Sequence, residues 1–278
     1  MRIAIDTGGT FTDCVFERGG ELRILKVLST PENPARAIAE AIAKITSIAG
    51  MSTDNTLELT CGTTVATNAL LERRGGKVAL VTTAGFEDVV EIGRQARPKL
   101  YDFFVERPKA LVPHERRFGL HERVSAEGRA ILRPSAAEFA RIVAAVKKSG
   151  ADAVAVCLLF SFANPQHEKQ MTRRLRAAGF HVSASREIFP EFREYERTVT
   201  TIANAYLLPV MSRYLGEIDP LASRHARRNR ANGVASVRVM QSNGGIISAV
   251  TAAREPVRTI LSGPAGGVLG AQYVAELA

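Results

Sequence analysis

The string Asp6-Thr7-Gly8-Gly9-Thr10-Phe11-Thr12-Asp13 gathers, around one turn, the groups needed to hold a polyphosphate. Paired glycines let backbone N–H groups approach phosphate oxygens. Threonine hydroxyls at 7, 10 and 12 add donors, and a carboxylate at a strand end can hold a hydrated divalent cation. A bare Gly-Gly pair would indicate only a hairpin turn; the full string indicates phosphate binding. Gly62-Thr63-Thr64 is a second candidate, because it opens a helix after a strand and a helix start attracts anions. Plain capping by Thr63 or Thr64 is the alternative there, and Asn68, one turn later, adds a polar group on the same side. Cys61 precedes this turn. No histidine lies nearby in the sequence to activate its thiol, so it is expected to be a small buried filler.

The elements that must position these groups follow from spacing. Arg2–Asp6 and Asp13–Phe16 are strand-like, and Gly19-Gly20 turns the chain into Leu22–Leu28, giving an antiparallel meander. Asn33-Pro34 starts a helix with Ile38, Ile42, Ile45 and Ile48 on one face, stopped by Gly50. Leu57–Cys61 and Lys77–Thr82 read as strands, with a helix between them reaching toward Arg73 and another starting near Phe86. Periodicity is weak from Gln95 to about Arg133, which ends in a hairpin at Glu127-Gly128. Ser135 and Glu138 form a capping box, and Phe139, Ile142, Val143 and Val146 line the helix that Gly150 ends. The apolar run Ala153–Phe160, a helix from Asn164-Pro165 to Gly179, and His181–Ser185 then imply parallel βαβ units. A long helix from about Glu194 carries Val199, Ile202, Tyr206 and Val210, with Pro209 expected to kink or interrupt it. Val237–Met240 and Val257–Leu261 are strand-like, and a small-residue helix follows Ser262.

The 278 residues suffice for one large or two modest domains, and 46% hydrophobic with 23% charged residues is ordinary for a globular chain. No apolar run is long enough to span a membrane and the N-terminus has no signal segment, so a cytoplasmic protein is expected. Cys14, Cys61 and Cys157 form neither a disulfide framework nor a zinc pattern. The net charge of +9 is concentrated partly in the arginines of residues 224–230 and at Arg173, Arg174 and Arg176. Without interleaved aromatics these read as a solvated loop and a helix face, and no nucleic-acid partner is expected.

The string at Asp6–Asp13 resembles the first phosphate motif of the actin/Hsp70/sugar-kinase ATPases. Residues Cys61–Arg73, Glu91-Ile92-Gly93-Arg94-Gln95 with Arg97-Pro98 and Tyr101-Asp102, Asn204–Leu207, Gln241–Gly245 and Ser262–Val268 narrow the resemblance. They are similar to the hydantoinase A, 5-oxoprolinase and acetone carboxylase β-subunit family. One departure is Cys61, where the family often has histidine. The resemblance implies an α/β, ribonuclease-H-like mixed sheet as first lobe. It also implies a division into 1–193, the family's N-terminal domain, and 194–278, the start of the hydantoinase A domain. By the same resemblance the chain uses ATP and Mg²⁺ to phosphorylate the carbonyl oxygen of a cyclic amide or ketone. Asp6 is the expected metal ligand, Asp6, Thr10 and Asp13 the catalytic group, and Asn68, Arg94 and Gln95 the substrate candidates. Gly263, Gly266 and Gly267 resemble the start of a connecting helix packed closely through small residues, with a second phosphate loop as the competing reading. A B-type subunit and a further C-terminal part carrying the second phosphate motif are the expected partners. Without them the terminal helix, with Val268, Leu269, Val274 and Leu277, is expected to expose apolar surface. A ketone carboxylase subunit, a non-catalytic assembly module and, less well matched, a sugar kinase are the alternatives.

Overall fold

The computed structural model describes residues 1–30, 32–50, 57–96, 101–102, 104, 109–224 and 237–277. The expected positions Arg97 and Pro98, and the arginine-rich loop beyond residue 224, lie outside the described residues. Two compact units are formed, Met1–Arg74 with Val210–Ala278, and Gly75–Pro209. The first unit takes residues from both sides of the division expected at 193/194.

The chain begins with the expected meander, β1 (Arg2–Thr7), β2 (Phe11–Arg18) and β3 (Glu21–Leu28). Alternation decides which side is buried: Ile3, Ile5 and Thr7 of β1 and Thr12, Cys14 and Phe16 of β2 face inward. Against them packs α1 (Pro34–Ala49), whose Asn33 side chain accepts the Ala35 N–H and whose end is set by Gly50 at φ 63°. Its buried stripe is Ala35, Ala37, Ile38, Ala41, Ile42 and Ile45. Ile48, expected on that face, is 42% exposed, in the last turn of the helix beyond the final buried residue, Ile45. Next come β4 (Glu58–Thr63) and α2 (Val65–Leu71).

The second unit opens at β5 (Val78–Thr83), followed by the short α3 (Val89–Ile92), β6 (Arg117–Leu120), and the hairpin β7 (Arg123–Val124) with β8 (Ala130–Leu132). In α4 (Ala136–Lys148) Ser135 Oγ accepts the Glu138 N–H, but the Glu138 carboxylate turns to Arg141 and the His121 N–H rather than closing the capping box. The arginine and that N–H hold its pKa down, at about 2. Then follow β9 (Ala153–Cys157), α5 (Gln166–Ala177), β10 (His181–Ala184) and the single turn α6 (Ser185–Ile188). The strand order β10-β9-β5-β6 is all parallel, as the βαβ alternation implies. Every residue of β5 and β9 is buried, which is why both read as unbroken apolar or small runs.

The long helix α7 (Glu194–Arg224) runs through Pro209 without interruption. Proline has no N–H to offer the turn before it, and the neighbouring carbonyl of Tyr206 takes an N–H from outside the helix, that of Gly76 (2.9 Å). A side chain at Gly75 would collide with the Tyr206 ring and one at Gly76 with Pro209, so both glycines are needed for this approach.

Back in the first unit are β11 (Val237–Met240), β12 (Ile246–Ser248), α8 (Ala249–Arg254) and α9 (Ser262–Leu277). The expected strand at Val257–Leu261 is instead a 3-10 turn over Pro256–Thr259. Proline at its first position sets φ for a turn, and the Glu255–Arg258 ion pair closes it. The sheet order β12-β11-β4-β1-β2-β3 has β11, β4 and β1 parallel and β2 reversed, the mixed sheet of a ribonuclease-H-like lobe.

Candidate functional site

The β1–β2 turn lies at the end of the sheet where β1 and β4 finish side by side. Asp6 stands opposite Asp13 across the hairpin and opposite Gly62 on the parallel side. A Cβ at Gly62 would lie 2.8 Å from Asp6 Oδ1, so glycine at that position makes room for the carboxylate. The Asp6 pKa is raised, first by lost hydration at the strand end and second by the Asp13 charge. Asp13 is itself bridged to Lys26 at 3.0 Å. Two adjacent carboxylates, one shifted against ionisation, form a place where a cation would be welcome. Mg²⁺ commonly takes one or two protein carboxylates when phosphates supply the rest.

At the turn, Gly8 N–H donates to the Phe11 carbonyl (3.0 Å), and any Cβ on Gly8 would meet that same oxygen at 2.9 Å. Gly9 has nothing within 4 Å of its missing side chain, so the backbone is bare there. From inside, Ser29 clamps the turn: its Oγ donates to the Gly8 carbonyl (2.8 Å) and its N–H to the Thr10 carbonyl (2.9 Å). Carbonyls are thus held inward, while among the described residues the N–H groups of Gly9 and Thr10 have no partner in the chain. Of the expected hydroxyls, Thr10 is exposed. Thr12 is fully buried against Ser29 (2.9 Å) and supports the turn from within.

At the end of β4, Thr63 Oγ1 is buried and accepts the Val65 N–H (3.2 Å), which is the capping alternative. Thr64 Oγ1 donates to the Thr7 carbonyl (3.2 Å) and accepts from Asn68 Nδ2 (3.3 Å), tying this turn to the hairpin. Cys61 is completely buried and its thiol is pushed up to about 12 by loss of hydration and by Cys14. That is the state of an inert filler.

Thr7, Gly8, Gly9, Thr64 and Asn68 line a cavity of about 580 Å³, which α7 closes with Tyr214. Thr7 and Tyr214 are 2% and 6% exposed, and their hydroxyl oxygens, enclosed together with that of Thr63, make no bond of ordinary length. The phenol pKa is raised by burial, opposed by long contacts to the Thr63 and Thr7 hydroxyls. Sequence reasoning passed over Ser29 and Tyr214, which lie 19 and about 200 positions from Thr10 with no motif around them.

Gly263, Gly266 and Gly267 fall in the first turns of α9, not in a loop. Gly266 lets the helix approach the Met240 sulfur, and Ser262 Oγ donates to the Thr63 carbonyl (3.1 Å). Val268, Leu269, Tyr273 and Val274 of this helix are exposed, as expected of its apolar face. Arg94 and Gln95 belong to the second unit. They line a cavity of about 320 Å³ with Tyr195, Val199 and Ile202, and Arg94 is paired in two-point fashion with Glu196 (2.9 and 2.7 Å). Gln95 holds a left-handed φ of 55°. No group of three or more His, Cys, Asp or Glu side chains forms a metal site among the described residues, and no helix there is long and apolar enough to cross a membrane.

Residues 2–179 match the family described as hydantoinase/oxoprolinase N-terminal region, and residues 197–278 match that described as hydantoinase/oxoprolinase. The chain is 36% identical to caprolactamase subunit alpha of Pseudomonas jessenii, over 99% of this chain and 40% of that protein. It is 34% identical to 5-oxoprolinase of Saccharomyces cerevisiae, over 97% of this chain and 23% of that protein. Among solved structures it is similar to nucleotide-free acetone carboxylase (TM-score 0.84, 27% identity, 100% of this chain and 41% of that one). The ATP-dependent caprolactamase of P. jessenii gives TM-score 0.82 at 35% identity, covering 95% of this chain and 39% of that one. The chain therefore spans about two fifths, or less, of each of these relatives. With both family patterns matched in order and the actin-like ATPase fold in place, the chain belongs to the hydantoinase/oxoprolinase family.

Proposed function

We propose that this chain is the N-terminal part of an ATP-dependent cyclic amide hydrolase, and that its β1–β2 hairpin holds the phosphates of ATP. The observation that carries the reading is the hairpin itself: N–H groups of Gly9 and Thr10 without a partner among the described residues, in the turn that follows Asp6, whose carboxylate Gly62 makes room for. Thr7, Gly8, Gly9 and Thr10 meet the phosphates, and Thr12 and Thr63 support them from behind. Asp6, with Asp13 beside it, would hold Mg²⁺, which would supply positive charge against the phosphates. ATP would transfer its γ-phosphoryl group to the carbonyl oxygen of the amide, the bond to ADP breaking as the new P–O bond forms; water would then add to the activated carbon, and the C–N bond of the ring would break with release of orthophosphate. Gly263, Gly266 and Gly267 serve close helix packing rather than a second phosphate loop, in line with their helical placement. Segments 1–193 and 194–278 are taken as two domains of the longer enzyme, which works in the cytoplasm with a B-type subunit and a further C-terminal part. The amide reading is preferred to ketone carboxylation because identity is higher to the caprolactamase (35%) than to acetone carboxylase (27%).

The test is Asp6→Asn in the complete enzyme. Turnover should fall by at least about a hundredfold, roughly 2.7 kcal/mol of barrier, with no drop in melting temperature. Near wild-type ATP consumption would contradict the assignment.

A further inference from the structure

We propose that Ser29 is a positioning residue for the nucleotide: by holding the Gly8 carbonyl inward, it aims the Gly9 N–H at a phosphate of ATP. This inference rests on the phosphate-binding reading of the hairpin and adds a residue, outside the motif, that sets its geometry. The two groups at issue belong to one peptide. In a planar trans peptide the C=O of Gly8 and the N–H of Gly9 point in opposite directions. Ser29 Oγ donates to that carbonyl at 2.8 Å, so the N–H is turned the other way, and it has no partner among the described residues.

With glycine on both sides, this peptide is freer to rotate than any other in the turn. A half-turn would present its carbonyl oxygen to the phosphates and replace attraction by repulsion. The serine is itself held, as a count of protons shows. Its single hydroxyl proton goes to Gly8, so in the 2.9 Å contact between Ser29 Oγ and Thr12 Oγ1 the fully buried threonine is the donor. The chain of bonds therefore runs from Thr12 to Ser29 to Gly8, and the Ser29 N–H holds the Thr10 carbonyl at 2.9 Å. Gly9 points the same way. It has no left-handed φ and nothing lies within 4 Å of its missing side chain, so the fold does not require glycine there. A ligand that approaches the backbone closely does.

The experiment measures binding of a non-hydrolysable ATP analogue with Mg²⁺ to the complete enzyme and its Ser29→Ala, Ser29→Thr and Thr12→Val variants, with Asp6→Asn for comparison. Ser29→Ala should raise the Kd about tenfold or more, the size of a hydrogen bond to a charged group. Ser29→Thr keeps the hydroxyl and should stay within about threefold of the unmodified enzyme. Thr12→Val leaves the Ser29 bond in place and should raise the Kd about threefold, through a weakened chain of bonds. A Ser29→Ala variant that melts lower yet binds the analogue normally would make the serine a strut only and overturn the inference. Equal losses in the alanine and threonine variants would do the same, because the hydroxyl would then not matter. If Ser29→Ala does not fold, Thr12→Val decides, and an unchanged Kd there counts against the inference. Weaker binding in Asp6→Asn with normal binding in Ser29→Ala would sink this inference alone. Normal binding in both would remove the hairpin from the phosphates altogether.

Discussion

Two groups of buried polar side chains in this molecule are treated in opposite ways. In the second unit, Glu168 accepts from the N–H groups of Leu158 (3.0 Å) and Arg186 (2.8 Å) and from Ser185 Oγ (2.8 Å). Ser185 bonds Ser161, Arg197 reaches Ser161 and the Leu158 carbonyl, and Glu122 is shared by Thr83 and His167. The network is not complete: Thr172 Oγ1 has no partner, nor do the Nε atoms of Arg186 and Arg197, whose terminal nitrogens are bonded. At the hairpin of the first unit, by contrast, the hydroxyl oxygens of Thr7 and Tyr214 are enclosed without a bond of ordinary length, in residues that line a cavity. A densely bonded polar core specifies a fold.

The comparison can be broken at its structural end first. Glu168→Ala strips the acceptor from two backbone N–H groups and should destabilise the protein by about 3–5 kcal/mol, read from denaturant unfolding. An unchanged midpoint would show that the network is not structural. At the functional end, Gly62→Ala should leave the midpoint nearly unchanged, because the atom met is a movable carboxylate oxygen. Turnover of the complete enzyme should still drop about tenfold or more, roughly 1.4 kcal/mol, as Asp6 is displaced. Full activity would remove Asp6 from the site. Cys61→Ser sharpens the same boundary: turnover should stay within about tenfold, while a hydroxyl in this apolar position lowers the melting temperature.

The smallest effect is a shift with pH. Asp6 has a raised pKa, so its contribution to stability is full below the ordinary carboxylate value near 3.8 and is lost as pH rises through the raised one. Asp13→Asn removes one cause of that rise. It should move the acid limb of ATP consumption to lower pH and make Asp6 ionisation less costly to the fold. An acid limb that stays in place would mean that another group sets it.

Much of this was legible in the sequence because it is local. The Asp6–Asp13 string, the Asn33-Pro34 helix start and the Gly19-Gly20 turn carry their physics within a few residues. The parallel unit was legible because β5 and β9 are buried on both faces. What escaped was long-range or overridden. Ser29 and Tyr214 acquire their positions only when β3 and α7 close on the hairpin. Ile48 fits an apolar spacing yet faces outward, and Val257–Leu261 has strand-like residues that follow a proline into a 3-10 turn.

The central claim is that the hairpin takes the phosphates of ATP while the Glu168 network only holds the fold. Hydrogen exchange of the complete enzyme, with and without Mg²⁺ and a non-hydrolysable ATP analogue, tests it most directly. The account predicts added protection in the segment around Gly8, Gly9 and Thr10, and none around Leu158 and Arg186. Protection confined to Gly93–Gln95 or to the glycines of α9, with the hairpin unchanged, would contradict it.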